Sequence, residues 1–270
     1  MRISRFDRGT LVGAVVAGVC VIAGYRLEGG VVAQILQPTA ALIVLGGTVG
    51  AVLIQFPFST VRLAVRCLIE AQFRAEASRS QSLADLERFC AQTRRQGILS
   101  LDSRLLQIKD PFMQKSLTLA VDGFAAEEIR RIMELELNHQ DERDAGLVRV
   151  IEAAAGFSPT MGIIGAVLGL VQVMQRITDL SAIGKGIAVA FVSTLYGIGV
   201  ANLFFLPLAG KLRIRLREEQ LTREMMLEGV LSIVEGVNPR ELRERLRSFT
   251  MEHAVQAPGL KSPKPEMAAQ

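Results

Sequence analysis

Residues 156–207 open as GFSPTMGIIGAVLGL over 156–170, pass a short polar break, resume as GIAVAFVSTLYGIGVAN over 186–202, and close on Leu206-Pro207-Leu208. Each half is long enough to cross a hydrocarbon core, which takes about 20 apolar residues in a helix. Neither carries a charged side chain, both are rich in Gly and Ala, and each holds one proline, Pro159 or Pro207. The stretch reads as a membrane helix hairpin built for close packing, with a bent backbone in each arm.

The rest of the 270-residue chain fits that reading. Half of the residues are hydrophobic, too many for an ordinary soluble domain and typical of an integral membrane protein. Cys20, Cys67 and Cys90 are an odd, scattered set with neither a disulfide framework nor metal-ligand spacing, and His139 and His253 are isolated. No metal, cofactor or nucleic-acid partner is expected. An enzyme is excluded by the same survey: no nucleophile constellation, paired carboxylates or phosphate loop is present, and Gly184-Lys185 lacks the upstream glycine of a phosphate-binding loop.

Outward from the hairpin, Arg2, Arg5 and Arg8 precede an apolar stretch from about Gly9 to Tyr25, read as a retained first membrane helix because no small-residue cleavage site follows. Pro38 and Thr39 open a second apolar stretch that runs to Phe56, with Pro57 as its stop. Residues 58–148 change character. Between Pro57 and Val148 stand 13 basic and 14 acidic side chains, so this segment is a nearly neutral, soluble helical insertion. Leu83, Leu86, Phe89 and Cys90 share a helical face that Gly97 ends, and Ser100 is placed to cap a short helix through Leu105. From Ala125 one long charged helix is expected to enter the membrane near Val148. After Leu208 come Lys211, Arg213, Arg215 and Arg217, then a stripe of Leu221, Met225, Met226, Val230 and Ile233. Asn238-Pro239-Arg240-Glu241 is a fresh helix start. The tail from residue 254 lacks periodicity and is expected to be disordered.

The predicted organisation is therefore all-α: four transmembrane helices with a helical insertion between the second and third. Residues 1–57 form the N-terminal arm and first hairpin, 58–148 the insertion, 149–209 the second hairpin, 210–253 the C-terminal helices and 254–270 the tail. Lysine and arginine crowd the N-terminal arm, the insertion and the segment after Leu208, and are sparse in the connections near Arg26 and Arg176. By the positive-inside rule both termini and the insertion are cytoplasmic.

An ionisable group at membrane depth usually marks an ion path. Glu152 is the one membrane-helix carboxylate, and it stands at the cytoplasmic edge. The hairpin offers small and hydroxyl residues instead. Gly186, Ala190, Thr194, Gly197 and Ala201 recur on one face of the fourth helix beside Ser193, and Gly162, Gly165, Ala166 and Gly169 on one face of the third. Such faces let another helix lie close. They either hold the helices of one subunit together or receive a helix from another chain. Pro159 and Pro207 cannot donate to the carbonyls of Ala155 and Leu203, so each bends its helix, and the antiparallel arrangement places both bends in the cytoplasmic half of the membrane, as static kinks or as relays. In the insertion, Arg94 and Arg95 stand in the last turn of one helix and Asp102 in the first turn of the next, where each complements the helix dipole.

These residues resemble the A subunit of bacterial flagellar motor stators, within the MotA/TolQ/ExbB proton channel family. The motifs quoted from the hairpin carry the resemblance, joined by Leu27-Glu-Gly-Gly, Ala41-Leu-Ile-Val-Leu-Gly-Gly-Thr, Val121-Asp-Gly and Glu228-Gly-Val-Leu-Ser-Ile with its Asn-Pro-Arg. It extends to about Phe249. It implies an inner-membrane homo-oligomer, typically a pentamer, around a B subunit that brings a membrane aspartate and a peptidoglycan-binding domain. It further implies that Arg94, with Arg95 beside it, and Asp102 face the rotor switch protein, although the family usually has Glu where this chain has Asp102. Ala166, Ser193 and Thr194 would line the ion path, and Pro159 and Pro207 would couple it to the cytoplasmic helices. Gly162, Gly165, Gly169, Ala190, Gly197 and Ala201 would pack against the B helix. Sodium-driven relatives tend to carry Thr at the position of Ala166, so the transported ion is expected to be H+. A TolQ/ExbB-type transducer generally has three membrane helices and an outside N-terminus, which the arginine-rich start argues against. A small-molecule transporter would need inverted repeats or a polar midplane cluster, and neither is found.

Overall fold

The computed structural model describes residues 8–73, 78–175 and 178–256, and all regular structure among them is helical. The elements are α1 (Arg8–Leu27), α2 (Val32–Ile35), α3 (Pro38–Ala41), a π segment (Leu42–Gly46), α4 (Gly47–Gln55), α5 (Phe58–Phe73) and α6 (Ser78–Gln96). A 3-10 turn (Ile98–Leu101) leads to α7 (Asp102–Leu105), α8 (Pro111–Val121), α9 (Ala126–Gln175), α10 (Leu180–Val200), a second π segment (Ala201–Phe205), α11 (Leu206–Val234) and α12 (Pro239–Gln256). Arg2, Arg5, Arg176 and residues 257–270 of the expected tail lie outside the described residues. The chain divides into two units, Met1–Ala75 with Glu142–Leu216 and Glu76–Asp141 with Arg217–Gln270.

Among the described residues three helices are long and apolar enough to span a bilayer: Pro38–Gln55, Ala126–Gln175 and Ile183–Val234. Val12–Leu27 is a shorter apolar helix, so the first of the four expected spans is the short one. The second apolar helix starts as its sequence demands, with Pro38 at the first helical position, where its missing N–H costs nothing. It then widens into a π segment, behind which the Thr48 hydroxyl donates to the Val44 carbonyl at 2.6 Å. α5 belongs to the first unit, and buried Ala64 and Ala71, flanked by Val61, Cys67 and Leu68, share a core with Val148, Ile151, Ala154, Ala209 and Leu212. An amphipathic helix whose buried face is mostly alanine and valine is hard to tell from a solvated one by charge counting alone.

The second unit packs the start of α9 and the end of α11 with α6, α8 and α12. Leu86, Leu117, Ile129, Met133, Met225, Met226, Leu231, Leu242 and Leu246 are almost wholly buried in one core, which includes the expected methionine stripe. Gly97 adopts φ +79 and ends α6 as expected. Ser100 does not act as the cap of α7: it lies inside the 3-10 turn and its hydroxyl donates back to the Gly97 carbonyl at 2.7 Å. Asn238 does cap, its Oδ1 accepting from the amides of Arg240 at 3.0 Å and Glu241 at 2.9 Å. Asp110-Pro111 starts α8 in the same way, with Oδ1 accepting from Phe112 and Met113, both at 3.0 Å. Each such cap contributes about 1 kcal/mol. α12 continues to Gln256, past the residue where the tail is expected to begin.

Two buried polar groups knit this unit. Arg79, 9% exposed, donates to Thr222 Oγ1 at 3.3 Å, the Phe249 carbonyl at 3.0 Å and the Glu218 carbonyl at 3.2 Å, so it ties α6 to α11 and α12. Cys90 donates its thiol to the Val237 carbonyl at 3.3 Å, and burial pushes that thiol up from its ordinary range, which keeps it unreactive.

Candidate functional site

The candidate ion path is the hairpin of α9 and α10, and glycine decides its geometry. A Cβ built at Gly162 would fall 2.8 Å from the Ser193 carbonyl oxygen and 3.3 Å from the Cα atoms of Thr194 and Gly197. At Gly169 it would fall 2.7 Å from the Gly186 carbonyl and 2.9 Å from the Ala190 amide nitrogen. At Gly197 it would fall 2.6 Å from the Ser158 carbonyl. These are backbone-to-backbone approaches that no side chain permits.

The space beside Gly162, Gly169, Gly186, Ala190 and Gly197 is therefore filled where α9 and α10 meet, and that beside Gly165 by the Ser193 side chain and Ile43. Of the two readings left open by the spacing, the structure displays contact within one chain. Within this chain, backbone already lies against Gly162, Gly169, Gly197 and Ala190 on the side where α9 and α10 meet. Ala201, 2% exposed, is likewise buried inside the chain, in the π segment.

The second apolar helix closes one flank of the hairpin. Gly47 meets the Met161 side chain, and Ile43 approaches Gly165. On the same flank, the Tyr196 hydroxyl donates to the Ile35 carbonyl at 2.7 Å and accepts from the Gln37 amide at 3.3 Å. Those are the backbone groups left open where α2 gives way to α3, just ahead of the second apolar span.

At about 100° per residue, Ala166 on α9 and Thr194 on α10 both fall on the other flank, away from the second helix. Both are half-buried, and Ile163, Leu170, Phe191 and Ile198 beside them are exposed. Thr194 Oγ1 donates to the Ala190 carbonyl at 3.2 Å, which leaves its lone pairs open. The structure thus brings Ala166 and Thr194 together on one side. Ser193 is different: fully buried over Gly165, with no hydrogen-bond partner for its hydroxyl, it faces the α9 contact and not the open flank.

The two prolines are accommodated differently. Pro207 stands, with only Leu206 between, beyond the π segment Ala201–Phe205, where the backbone widens ahead of the ring that would clash with the Leu203 carbonyl. Pro159 lies inside an unbroken α9 with its Cα against Gly197. At the membrane edge Glu152 pairs with Arg213, and Lys211 donates to Thr10 Oγ1 at 2.7 Å.

In the second unit Arg94 and Arg95 are exposed in the last turn of α6, and Asp102 is exposed at the first position of α7. None of the three forms an ion pair among the described residues, whereas neighbouring charges do, as in Arg243 with Glu87 at 2.7 Å. Sequence inspection singled out neither Tyr196 nor Arg79. A tyrosine inside an apolar span and an arginine two residues into a helix carry no spacing signal, and only their long-range partners reveal them.

Residues 104–225 match the model of the MotA/TolQ/ExbB proton channel family and residues 11–97 that of the motility protein A N-terminal region. The chain is 36% identical to the uncharacterized protein YtxD of Bacillus subtilis, covering 91% of each chain. It is 32% identical to motility protein A of the same organism over 90% of each, and 33% identical to chemotaxis protein PomA of Vibrio alginolyticus over 91% of this chain and 96% of that one. The solved MotAB of C. jejuni superposes with a TM-score of 0.85 at 27% identity, covering 97% of this chain and 99% of that chain. The flagellar MotAB stator complex from Bacillus subtilis gives 0.82 at 30% identity over 93% and 100%. Similarity of sequence along nearly the whole length, and of fold to both solved complexes, makes this chain a member of the MotA/TolQ/ExbB proton channel family.

Proposed function

We propose that this protein is the A-type stator subunit of a flagellar motor, an ion-channel component that couples ion flow to torque. One observation carries the reading: a family fold that matches stator complexes along its length, with a channel wall whose described membrane helices bear no carboxylate at depth. The titrating group is then supplied by a B subunit with a membrane aspartate and a peptidoglycan-binding domain. Its helix runs along the flank of Ala166 and Thr194, the side that the second helix leaves uncovered. The N-terminal match favours this motor role over the TolQ/ExbB branch.

In this reading α1 is the first of four spans, both termini and the second unit are cytoplasmic, and several copies, typically five, ring the B helices. Pro159 and Pro207 relay the state of the ion path, and the exposed Arg94, Arg95 and Asp102 meet the rotor switch protein. Nothing in this scheme calls for an enzyme's chemistry.

The test is complementation. Produced with its B partner in a motile bacterium stripped of its own stator genes, the chain should restore swimming, and Arg94→Glu should cut swimming speed severalfold while B-subunit co-purification is unchanged. A complex that assembles in the membrane yet never supports swimming would overturn the motor reading.

A further inference from the structure

Glu152 is the single carboxylate in residues 145–175 and 180–217, which also hold the cations Arg149, Lys211, Arg213, Arg215 and Arg217. Of these cations it selects Arg213, in an ion pair that joins α9 to α11. The choice follows from the neighbours. Ile151 and Leu212, next to the two residues, are 6% and 1% exposed in a shared core with Val148 and Ala209, so the packing fixes which side chains emerge side by side. Lys211 is directed instead to Thr10 on α1.

The position along the helices is as specific as the partner. Glu152 lies about two turns before Pro159, and Arg213 just under two turns after Pro207. The pair therefore closes the same end of both proline-bearing segments, the end where α9 lacks the amide of residue 159 and α11 follows a π segment. A helix weakened by proline or π geometry passes on a rotation poorly unless something fixes its far end.

We propose that Glu152 and Arg213 form an interhelical clamp that makes the two arms of the hairpin turn as one piece below their prolines, and so are positioning residues for torque transmission. The proposal rests on the stator reading. A partly exposed ion pair adds little to folding stability, so its removal should leave the protein intact. That separates a transmission role from a structural one.

The experiment uses the full chain with its B subunit in a stator-deficient motile host. Glu152→Gln and Arg213→Gln should each lower stall torque at least threefold, with membrane level and B-subunit co-purification at wild-type values. The exchanged double variant, Glu152→Arg with Arg213→Glu, should recover at least half of wild-type torque. Wild-type torque in both single variants overturns the clamp, as does an exchange that fails to recover torque. Loss of assembly in either single variant overturns it too, because the pair would then be a folding requirement. Failure of the unaltered chain to drive swimming refutes the stator reading instead, and is read from the control.

Discussion

Gly197 lies directly against the Ser158–Pro159 turn: a Cβ at 197 would stand 2.6 Å from the Ser158 carbonyl oxygen and 3.1 Å from the Pro159 Cα. The obstacle is backbone on both sides, so no rotamer change relieves it. Gly197→Ala should force α10 away from α9 and cost about 1–3 kcal/mol. It should lower the thermal midpoint of the detergent-solubilised complex by several degrees. Gly199→Ala is the control, because nothing lies within 4 Å of its Cβ position. Equal midpoints for the two variants would remove the close-contact account of the hairpin.

Tyr196 satisfies two backbone groups at once, the Ile35 carbonyl and the Gln37 amide. Tyr196→Phe keeps the ring and deletes both bonds, leaving a half-buried donor and acceptor without this partner. The expected loss is about 1–3 kcal/mol. Faster amide exchange over residues 31–40, with α9 unchanged, is the signature. Protection unaltered at Gln37 would mean that another group takes over.

Much of this was legible from residue order. Gly97 with positive φ, the Asn238 cap, the methionine stripe and the long α9 follow from local rules that act within a few residues. The glycine faces were legible as faces, but not their occupant: small-residue spacing states how near a helix comes and not which helix. Charge balance places α5 in the insertion, and Arg62, Arg66 and Glu70 are its charged residues. They are exposed in the structure, and the face opposite them is the one that packs. Ser193 and Thr194, adjacent in sequence, turn out on different sides because consecutive helical residues do not share a face.

The attachment of α12 to α6 should depend on acid. Hydrogen bonds from Arg243, at 2.7 and 2.9 Å, hold the Glu87 carboxyl below the usual glutamate range, against a partial burial that pushes it up. Because the folded-state value lies below the unfolded one, the contribution is fully present above the ordinary glutamate pKa and is lost as pH falls through the lowered value. Amide protection in α12 should therefore hold from neutral pH to about 4.5 and weaken below it. Glu87→Gln should start from weaker protection at neutral pH and lose this acid step. An acid step of the same size in that variant would assign it to another carboxylate.

The identity of the ion turns on one missing oxygen. On the flank shared with Thr194, Ala166 presents only a methyl group, and a sodium ion shedding its water there would lose a ligand that a threonine would supply. A proton needs no such cage, since it moves between a titrating group and water. Swimming driven by this chain and its partner should stop when an uncoupler collapses the proton gradient and persist when sodium is replaced by potassium. Ala166→Thr should leave speed in sodium-free medium within about twofold of wild type, because the added hydroxyl can return its proton to the Gly162 carbonyl in the manner of helical threonines. Arrest on sodium withdrawal in the unaltered protein would show that the cage is built elsewhere on this flank, with the open lone pairs of Thr194 as its first candidate.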